Sequence, residues 1–151
     1  MKASFEIAPV CRPYAKRADW MEFAQDWYFV VDGKKVWIPK GYFYNGASIP
    51  RVFWSIIGSP FDPQYWAAAG AHDWRYLTHT STRPDADETL FQLCRQAGVG
   101  LWRARTIWGA VRSCGYPAWT NNAKDKAELG DMMIIIVARP DADKFDLKIA
   151  A

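Results

Sequence analysis

The stretch from Tyr42 to Asp87 decides the fold, and its sequence is YFYNGASIPRVFWSIIGSPFDPQYWAAAGAHDWRYLTHTSTRPDAD. It contains three polar segments, which are 45–51 (NGASIPR), 71–76 (AHDWRY) and 83–87 (RPDAD). We interpret the first as a turn that ends a strand, because Pro50 keeps the preceding residue out of the helical region. The second lies late in an apolar helix, and the third opens another helix. Together they predict a polar cluster inside a small core that is rich in aromatic residues.

Strands are predicted on the N-terminal side of this stretch. Trp27–Val31 and Lys35–Ile38 are rich in β-branched and aromatic residues, and 32–34 (DGK) joins them. An Asp-Gly pair between two such runs is a strong indication of a β-hairpin. Residues 41–44 add a further short strand, and alternating apolar residues at 3–7 predict a half-exposed edge strand, which 11–13 (CRP) ends.

Three helices are predicted after the strands. Asp62 is a suitable N-cap with Pro63 in the first helical position, and this helix runs to about Leu77. The segment 83–88 opens the second helix, with a proline and three acidic residues where the helix dipole favours them. The third helix runs from about 101 to 114. These elements predict an α+β fold, in which a small antiparallel β-sheet packs on about three helices.

The periodicity of the last two helices predicts which faces are buried. In the second helix, Asp87, Leu90, Phe91 and Cys94 recur at the spacing of one helix face. The predicted apolar face of the third helix is Leu101, Ala104, Trp108 and Val111, with Arg103, Arg105 and Arg112 pointing elsewhere. The prediction thus places one carboxylate on a buried stripe.

The C-terminal part of the chain differs from the rest. We predict a single α+β domain over residues 1–119 and a C-terminal extension over 120–151. Polar and charged residues at 120–128 are typical of a linker. The strand that follows is apolar on both faces, so we expect it to form an interface or to join a sheet edge; it consists of Met132, Met133, Ile134, Ile135, Ile136 and Val137.

Charge and hydropathy exclude several classes of protein. The net charge of the 151 residues is only +3 and no run of Lys or Arg exceeds two, so we expect no nucleic-acid partner. The longest strongly apolar run, 132–138, is far shorter than the roughly 20 residues of a membrane-spanning helix. We therefore expect no membrane-spanning segment.

The cysteines and the N-terminus indicate a protein made in a cytoplasm. Three cysteines without a metal-binding spacing predict reduced thiols. We expect Cys94 and Cys114 to be buried in helices, which argues against Cys–His catalysis. Charged residues interrupt the N-terminal region, so no secretory signal is visible.

Asp87 is the most unusual candidate site residue. A carboxylate on an apolar stripe must be paired, because burying it alone costs several kcal/mol. Its nearest partners by residue type are His72, Arg75 and Arg51. One interpretation makes Asp87 a metal ligand or an acid/base catalyst. We favour the other, in which it pairs with a buried Arg or His for the sake of the fold.

His72-Asp73 resembles half of the signature of metal-dependent phosphohydrolases. His72, Asp73 and Asp87 are accordingly the candidate ligands for a divalent metal, which would be the cofactor. That class also needs an earlier histidine, and none precedes His72. His79 lies two turns further along, but zinc bound by His72, His79 and Asp87 would match none of the usual ligand spacings.

Ser48, His72 and Asp87 together supply the residue types of a hydrolytic triad. The sequence around Ser48 lacks the second glycine of a nucleophile elbow, and Pro50 prevents a helix from starting directly after the serine. We therefore expect Ser48 to hold the turn through its hydroxyl. Tyr76 shares a helix face with His72 and is interpreted as a core aromatic residue with a polar tip.

The polar segments also resemble a known family. It is a family of uncharacterised phage and prophage proteins, domain of unknown function 1353, and the resemblance covers roughly residues 30–119. It is carried by the segments 37–41 (WIPKG), 44–51 (YNGASIPR), 71–76 (AHDWRY), 111–115 (VRSCG), and Asp87 with Phe91. An Asp commonly stands in that family where this chain has Asn45, and the neutral amide weakens a catalytic role for this position. The resemblance implies a phage origin and no established activity.

The leading expectation for function is a phage-encoded structural or assembly protein, associated with the virion or tail. It would be made in the host cytoplasm, reside in the virion and act through contacts with other phage proteins or as a homo-oligomer. The alternative is a metal-dependent hydrolase that uses His72, Asp73 and Asp87, with Asn45 or Ser48 nearby. A binder of a small molecule or of a host protein is a third hypothesis.

Overall fold

A computed structural model describes residues 1–44, 55, 58, 62–121, 127 and 130 of the chain. Its strands are β1 (Ala3–Ser4), β2 (Cys11–Tyr14), β3 (Arg17–Phe23), β4 (Trp27–Val31), β5 (Lys34–Ile38) and β6 (Phe43–Tyr44). Its helices are α1 (Trp66–Thr78), α2 (Arg83–Gln96), α3 (Leu101–Cys114) and α4 (Tyr116–Thr120). The predicted α+β class is confirmed.

The strands form two antiparallel sheets of three strands each, where we expected one small sheet. The strand orders are β1-β4-β5 and β2-β3-β6. The hairpin of β4 and β5 pairs Trp27 with Ile38 and Val31 with Lys34. Asp32 and Gly33 connect them with φ angles of 48° and 80°. Positive φ at both turn residues matches the twist of the flanking strands, which confirms the predicted hairpin.

The second sheet corrects the prediction for the N-terminal residues. We expected 11–13 to end a strand, but these residues begin β2, and Pro13 pairs with Met21 of β3. Proline is tolerated here because β2 is an edge strand of its sheet. The sequence analysis also missed β3 altogether.

The first two helices occupy the predicted regions, with one shifted start. Asp62 caps a turn before α1, since its carboxylate accepts a hydrogen bond from the backbone N–H of Gln64 at 2.9 Å. The helix itself begins one turn later, at Trp66. Helix α2 begins directly after Thr82, whose hydroxyl accepts a hydrogen bond from the N–H of Asp85. Pro84 lies in its first turn, as predicted.

Helix α3 has the predicted length but a different buried face. Its buried residues are Ala104, Ile107, Ala110 and Val111. Leu101 and Trp108 are exposed, contrary to the prediction, because the buried stripe follows Ala104 and Ile107. Cys114, the last helical residue, is also exposed rather than buried, whereas Cys94 is buried in α2 as expected.

Helix α1 lies at the centre of the core. Its residues from Ala67 to Ala71 are all buried, and a Cβ atom at Gly70 would lie 2.7 Å from Cζ of Phe23. The ring of Phe23 is itself surrounded by aromatic residues, with its centroid 5.7 Å from that of Trp27 and 5.5 Å from that of Tyr44. The small residues of α1 thus let β3 approach the helix closely.

Several predictions fall on parts of the chain that the structure does not describe. The turn at 45–51, with Asn45, Ser48 and Arg51, lies outside the described residues, as does the apolar strand Met132–Val137. The division between residues 119 and 120 stays a prediction. Within the described residues, none of the helices combines the length and the apolar character needed to cross a membrane.

The close approach of α1 and β3 can be tested by adding one methyl group. We expect Gly70→Ala to lower the free energy of unfolding by about 1–3 kcal/mol, because the buried Phe23 ring has no space to move into. The matched control is Gly109→Ala in α3, where an added Cβ meets nothing within 4 Å. This control should raise the stability by about 0.5–1 kcal/mol. Denaturant unfolding measures both, and a neutral Gly70→Ala would contradict the described packing.

Candidate functional site

The packing of α1 against α2 brings His72 and Asp87 together. Nε2 of His72 lies 3.0 Å from Oδ1 of Asp87, and both side chains are fully buried. His72 lies in the middle of α1, and Asp87 lies in the second turn of α2. The predicted pairing of a buried carboxylate with a buried histidine is what the structure contains.

Three further side chains form hydrogen bonds or ion pairs with the Asp87 carboxylate. The hydroxyl of Tyr76 donates to Oδ1 at 2.6 Å, and Nη1 of Arg112 donates to Oδ2 at 3.2 Å. Nη1 of Arg83 lies 3.7 Å from the same Oδ2. Both carboxylate oxygens are therefore occupied by partners from α1, α2 and α3. We call His72, Asp73, Tyr76, Arg83, Asp87 and Arg112 the Asp87 cluster.

Asp73 faces the other nitrogen of His72. Its Oδ1 lies 3.4 Å from Nδ1 of His72, and its side chain is 11% exposed. With Asp87 at Nε2, both ring nitrogens face a carboxylate. A catalytic triad needs one ring nitrogen to accept a proton from the nucleophile. Because Ser48 lies outside the described residues, the triad stays a prediction.

The electrostatics of the cluster stabilise a charged pair. Burial lowers the pKa of His72, but the hydrogen bonds and charges of Asp73 and Asp87 outweigh it, so this pKa lies above its ordinary value of 6.5. Burial raises the pKa of Asp87, but the hydrogen bonds of His72 and Tyr76 bring it below its ordinary value of 3.8. Opposite shifts of this kind favour the protonated histidine and the ionised carboxylate.

The structure brings together only part of the predicted set of partners. Arg75 does not pair with Asp87; its Nη1 donates to Oγ1 of Thr89 at 2.5 Å and to the carbonyl oxygen of Asp85 at 3.3 Å. Arg112 was predicted to point away from the core, yet it reaches Asp87. Arg83 precedes Asp87 by four residues, so the ordinary helical spacing of ion pairs could have identified it.

His79 contributes to a different contact. It ends α1 in the left-handed conformation, with a φ of 52°. Its Nε2 lies 3.0 Å from the carbonyl oxygen of Trp119, and the two rings stack with centroids 4.1 Å apart. The ring is thus engaged with α4 and is not part of the Asp87 cluster.

A metal would need a group of ligands at a suitable distance from one another. Within the part of the chain that the structure describes, no group of three or more His, Cys, Asp and Glu residues is arranged to hold a metal ion. The assignment of His72, Asp73 and Asp87 as metal ligands stays a prediction.

The cluster lies in a region that is similar to other proteins. Residues 21–111 match the family described as "Protein of unknown function (DUF1353)". The chain belongs to this family. The resemblance inferred from the polar segments is therefore confirmed. The DUF1353 region includes every member of the Asp87 cluster except Arg112, which directly follows it.

Two curated relatives come from Sinorhizobium fredii (strain NBRC 101917 / NGR234). "Uncharacterized protein y4jT" is 37% identical over 109 residues, which are 72% of this chain and 32% of the relative. "Uncharacterized protein y4iH" is 31% identical over 75 residues, which are 50% of this chain and 31% of the relative. The chain thus spans about a third of the length of these relatives. No solved structure matches this DUF1353 protein.

The buried charge of Asp87 leads to a prediction about the stability of the folded chain. We expect Asp87→Asn to lower the free energy of unfolding by about 3–5 kcal/mol, because it leaves His72 and Arg112 without their counter-charge. Since the pKa of Asp87 is lowered in the folded chain, its contribution is present above the ordinary value and is lost as the pH falls through the lowered pKa. As the pH is lowered, the free energy of unfolding of Asp87→Asn should therefore fall less than that of the wild type. The measurement is denaturant unfolding across an acid pH series.

The control for this variant is Asp85→Asn, an exposed carboxylate in the first turn of the same helix. It should cost no more than about 1 kcal/mol, the usual contribution of a capping interaction. Equal losses in the two variants would contradict a special role for Asp87.

The raised pKa of His72 predicts a second way in which the free energy of unfolding depends on pH. Because its pKa is higher in the folded chain, its stabilising contribution is fully present below the ordinary value of 6.5 and is lost as the pH rises through the raised pKa. We expect the free energy of unfolding of the wild type to fall over that range and His72→Gln to lack this part of the fall. His79→Gln, which changes the other histidine of the chain, should retain it. Identical pH profiles for the wild type and His72→Gln would exclude this coupling.

Proposed function

We propose that this protein is a phage-encoded structural or assembly protein of the virion or tail. It acts through protein–protein contacts, and its Asp87 cluster serves the fold. The phage origin in this proposal rests on the resemblance of the polar segments. The structural role rests on the burial of His72 and Asp87.

The complete burial of His72 and Asp87 is the observation that carries the proposal. His72 and Asp87 have fully buried side chains, and the hydrogen bonds and ion pairs of Asp87 are all made with α1, α2 and α3. A hydrolytic centre needs at least one reactive side chain that a substrate can reach. A carboxylate that bonds to side chains on three helices instead stabilises their packing.

The surface of α3 supplies a contact region. Trp102 is 80% exposed, and Leu101 and Trp108 are also exposed on this helix. Arg105 lies between them on the same face, at the helical spacing from Leu101 to Trp108. Tryptophan and arginine are enriched among the residues that contribute most to protein interfaces. We call Leu101, Trp102, Arg105 and Trp108 the α3 surface.

The partner that we assign to the α3 surface is another protein of the particle. In the two Sinorhizobium fredii relatives, the matched region makes up only 32% and 31% of the protein. The rest of each relative lies outside the matched region. Exposed aromatic residues are suited to contacts with such a partner.

Incorporation into particles tests the proposal. We expect quantitative mass spectrometry to find the protein at a fixed copy number in purified particles of the phage that encodes it. Trp102→Gln should lower this copy number about tenfold or more while the fold is retained, since a central aromatic contact contributes about 2 kcal/mol or more. The matched control, Ile7→Gln, changes a side chain that is 74% exposed elsewhere and should be incorporated like the wild type.

Two results would contradict the proposal. One is absence of the protein from purified particles. The other is one bound metal per chain, found by elemental analysis, that is lost in a folded His72→Ala variant; this would favour the metal-dependent hydrolase. Self-association that depends on Trp102, measured by analytical ultracentrifugation, would replace the heterologous partner by a homo-oligomer.

A further inference from the structure

The charged residues of α3 and α4 are all positive. The two helices contain three arginines and no acidic residue. Nη2 of Arg103 donates to Oδ2 of Asp62 at 2.6 Å. Nη1 of Arg112 donates to Oδ2 of Asp87 at 3.2 Å. The exposed side chain of Arg105 has no ion pair or hydrogen bond with any residue that the structure describes, so its guanidinium is available to a partner.

The two tryptophans of the α3 surface are equally available. Trp102 is 80% exposed and Trp108 is 37% exposed. Among the described residues, neither indole ring stacks on another aromatic ring or donates a hydrogen bond. Trp27, by contrast, donates its indole N–H to the carbonyl oxygen of Ile7 at 2.7 Å. An exposed indole buries a large apolar area when a partner covers it and offers that partner a hydrogen-bond donor.

Arg105 lies within the apolar stripe of α3. Leu101, Arg105 and Trp108 follow one another at the spacing i, i+4 and i+7, which places them along one side of the helix. The stripe is about 10 Å long at the rise of an α-helix. A carboxylate that pairs with Arg105 would therefore have an apolar side chain of α3 on either side of it, one turn away in each direction.

A second copy of this chain fits the α3 surface poorly. Two identical surfaces that meet about a two-fold axis bring both copies of Arg105 into one interface. Neither α3 nor α4 contains an acidic residue that could compensate their repulsion. Like charges in an interface disfavour the contact. The charge of the α3 surface therefore favours a different partner, which carries acidic residues.

A lipid surface and a nucleic acid fit less well than an acidic protein segment. A helix that lies in a membrane surface has its charges opposite a broad apolar face, whereas Arg105 lies between Leu101 and Trp108. Binding to nucleic acid draws on several Lys and Arg residues that contact phosphates. Of the described arginines of α3, Arg103 and Arg112 already pair with carboxylates of this chain.

We propose that the α3 surface binds an acidic segment of its protein partner, in which an Asp or Glu lies between apolar side chains. The carboxylate pairs with the guanidinium of Arg105, which can donate two parallel hydrogen bonds to it. The apolar side chains pack on Trp102 and Trp108. This inference deepens the function proposed above and rests on it, since it assigns the chemistry of the partner of that surface.

Fluorescence anisotropy of a labelled peptide tests this preference with the full chain in solution. The probe is a synthetic amphipathic helix of about 18 residues, in which one face combines Leu with Glu. The control peptide has Lys in place of each Glu. We expect saturable binding of the Glu peptide and at least about tenfold weaker binding of the Lys peptide. Salt should weaken the binding of the Glu peptide, because exposed charges are screened.

Variants of the full chain locate the binding. Arg105→Glu should lower the affinity for the Glu peptide at least about tenfold, because attraction becomes repulsion. Trp102→Gln should also lower it at least about tenfold, since a large apolar contact is lost. Arg105→Lys keeps the charge but not the planar donor and should lower the affinity only about threefold. The matched control for charge reversal is Lys16→Glu, at an exposed position between β2 and β3, which should bind like the wild type.

Zero-length cross-linking identifies the partner in purified particles. A carbodiimide condenses a lysine amine with a carboxylate that contacts it, with the loss of one water, whereas arginine does not react. In particles that contain the Arg105→Lys variant, we expect a new amide bond between position 105 and an Asp or Glu of another particle protein. Mass spectrometry of the linked peptides identifies that residue. Its replacement by lysine should restore the incorporation that Arg105→Glu loses, because the two charges are then exchanged.

Three results would overturn the inference. The first is equal binding of the Glu and Lys peptides, or no saturable binding of either. The second is an unchanged affinity in Arg105→Glu. The third is Arg105-dependent binding of phosphatidylglycerol vesicles or duplex DNA by a chain that does not bind the Glu peptide.

The inference and the proposed function can fail separately. Incorporation that depends on Trp102 but tolerates Arg105→Glu would contradict the acidic partner and support the structural function. Selective binding of the Glu peptide through Arg105 by a protein that is absent from particles would support the assigned chemistry of the α3 surface and contradict the structural function.

Discussion

The pairing of the buried Asp87 carboxylate with His72 is the interaction on which the helical part of the structure depends. A charge in the core needs partners, and Asp87 finds them on three helices: His72 and Tyr76 on α1, Arg83 on α2 and Arg112 on α3. The carboxylate thereby fixes the relative positions of the helices. Hydrophobic packing alone would tolerate small shifts between them, whereas hydrogen bonds of 2.6 to 3.2 Å would not.

Helix α1 carries two buried polar side chains, of which one has a partner at each ring nitrogen and the other has a nitrogen without a hydrogen-bond partner. His72 has a carboxylate at each ring nitrogen, and the shifts in pKa favour its charged form. Arg75, almost one turn later, keeps an Nε without a partner among the described residues. Saturated polar groups contribute to the fold, whereas an unsatisfied buried group requires a separate explanation. This contrast supports the proposal that the Asp87 cluster serves the fold.

Local patterns were sufficient for most of the regular elements. The Asp32-Gly33 turn and the proline near the start of α2 act through the backbone of their immediate neighbours, so the hairpin and α2 could be predicted. Strand β3 was missed because its residues show no clear alternation. Pro13 was taken to end a strand because its neighbours along the chain do not reveal that β2 is an edge strand, where proline is tolerated.

The sequence by itself determined that Asp87 is buried and therefore paired, that His72 is a suitable partner, and that the chain belongs to the DUF1353 family. Only the tertiary structure decided which cations join the pair. Arg112 reaches Asp87 from α3, 25 residues away, while the nearer Arg75 turns towards Thr89. Helical spacing describes neighbours within one helix, but the contacts between helices depend on how they pack.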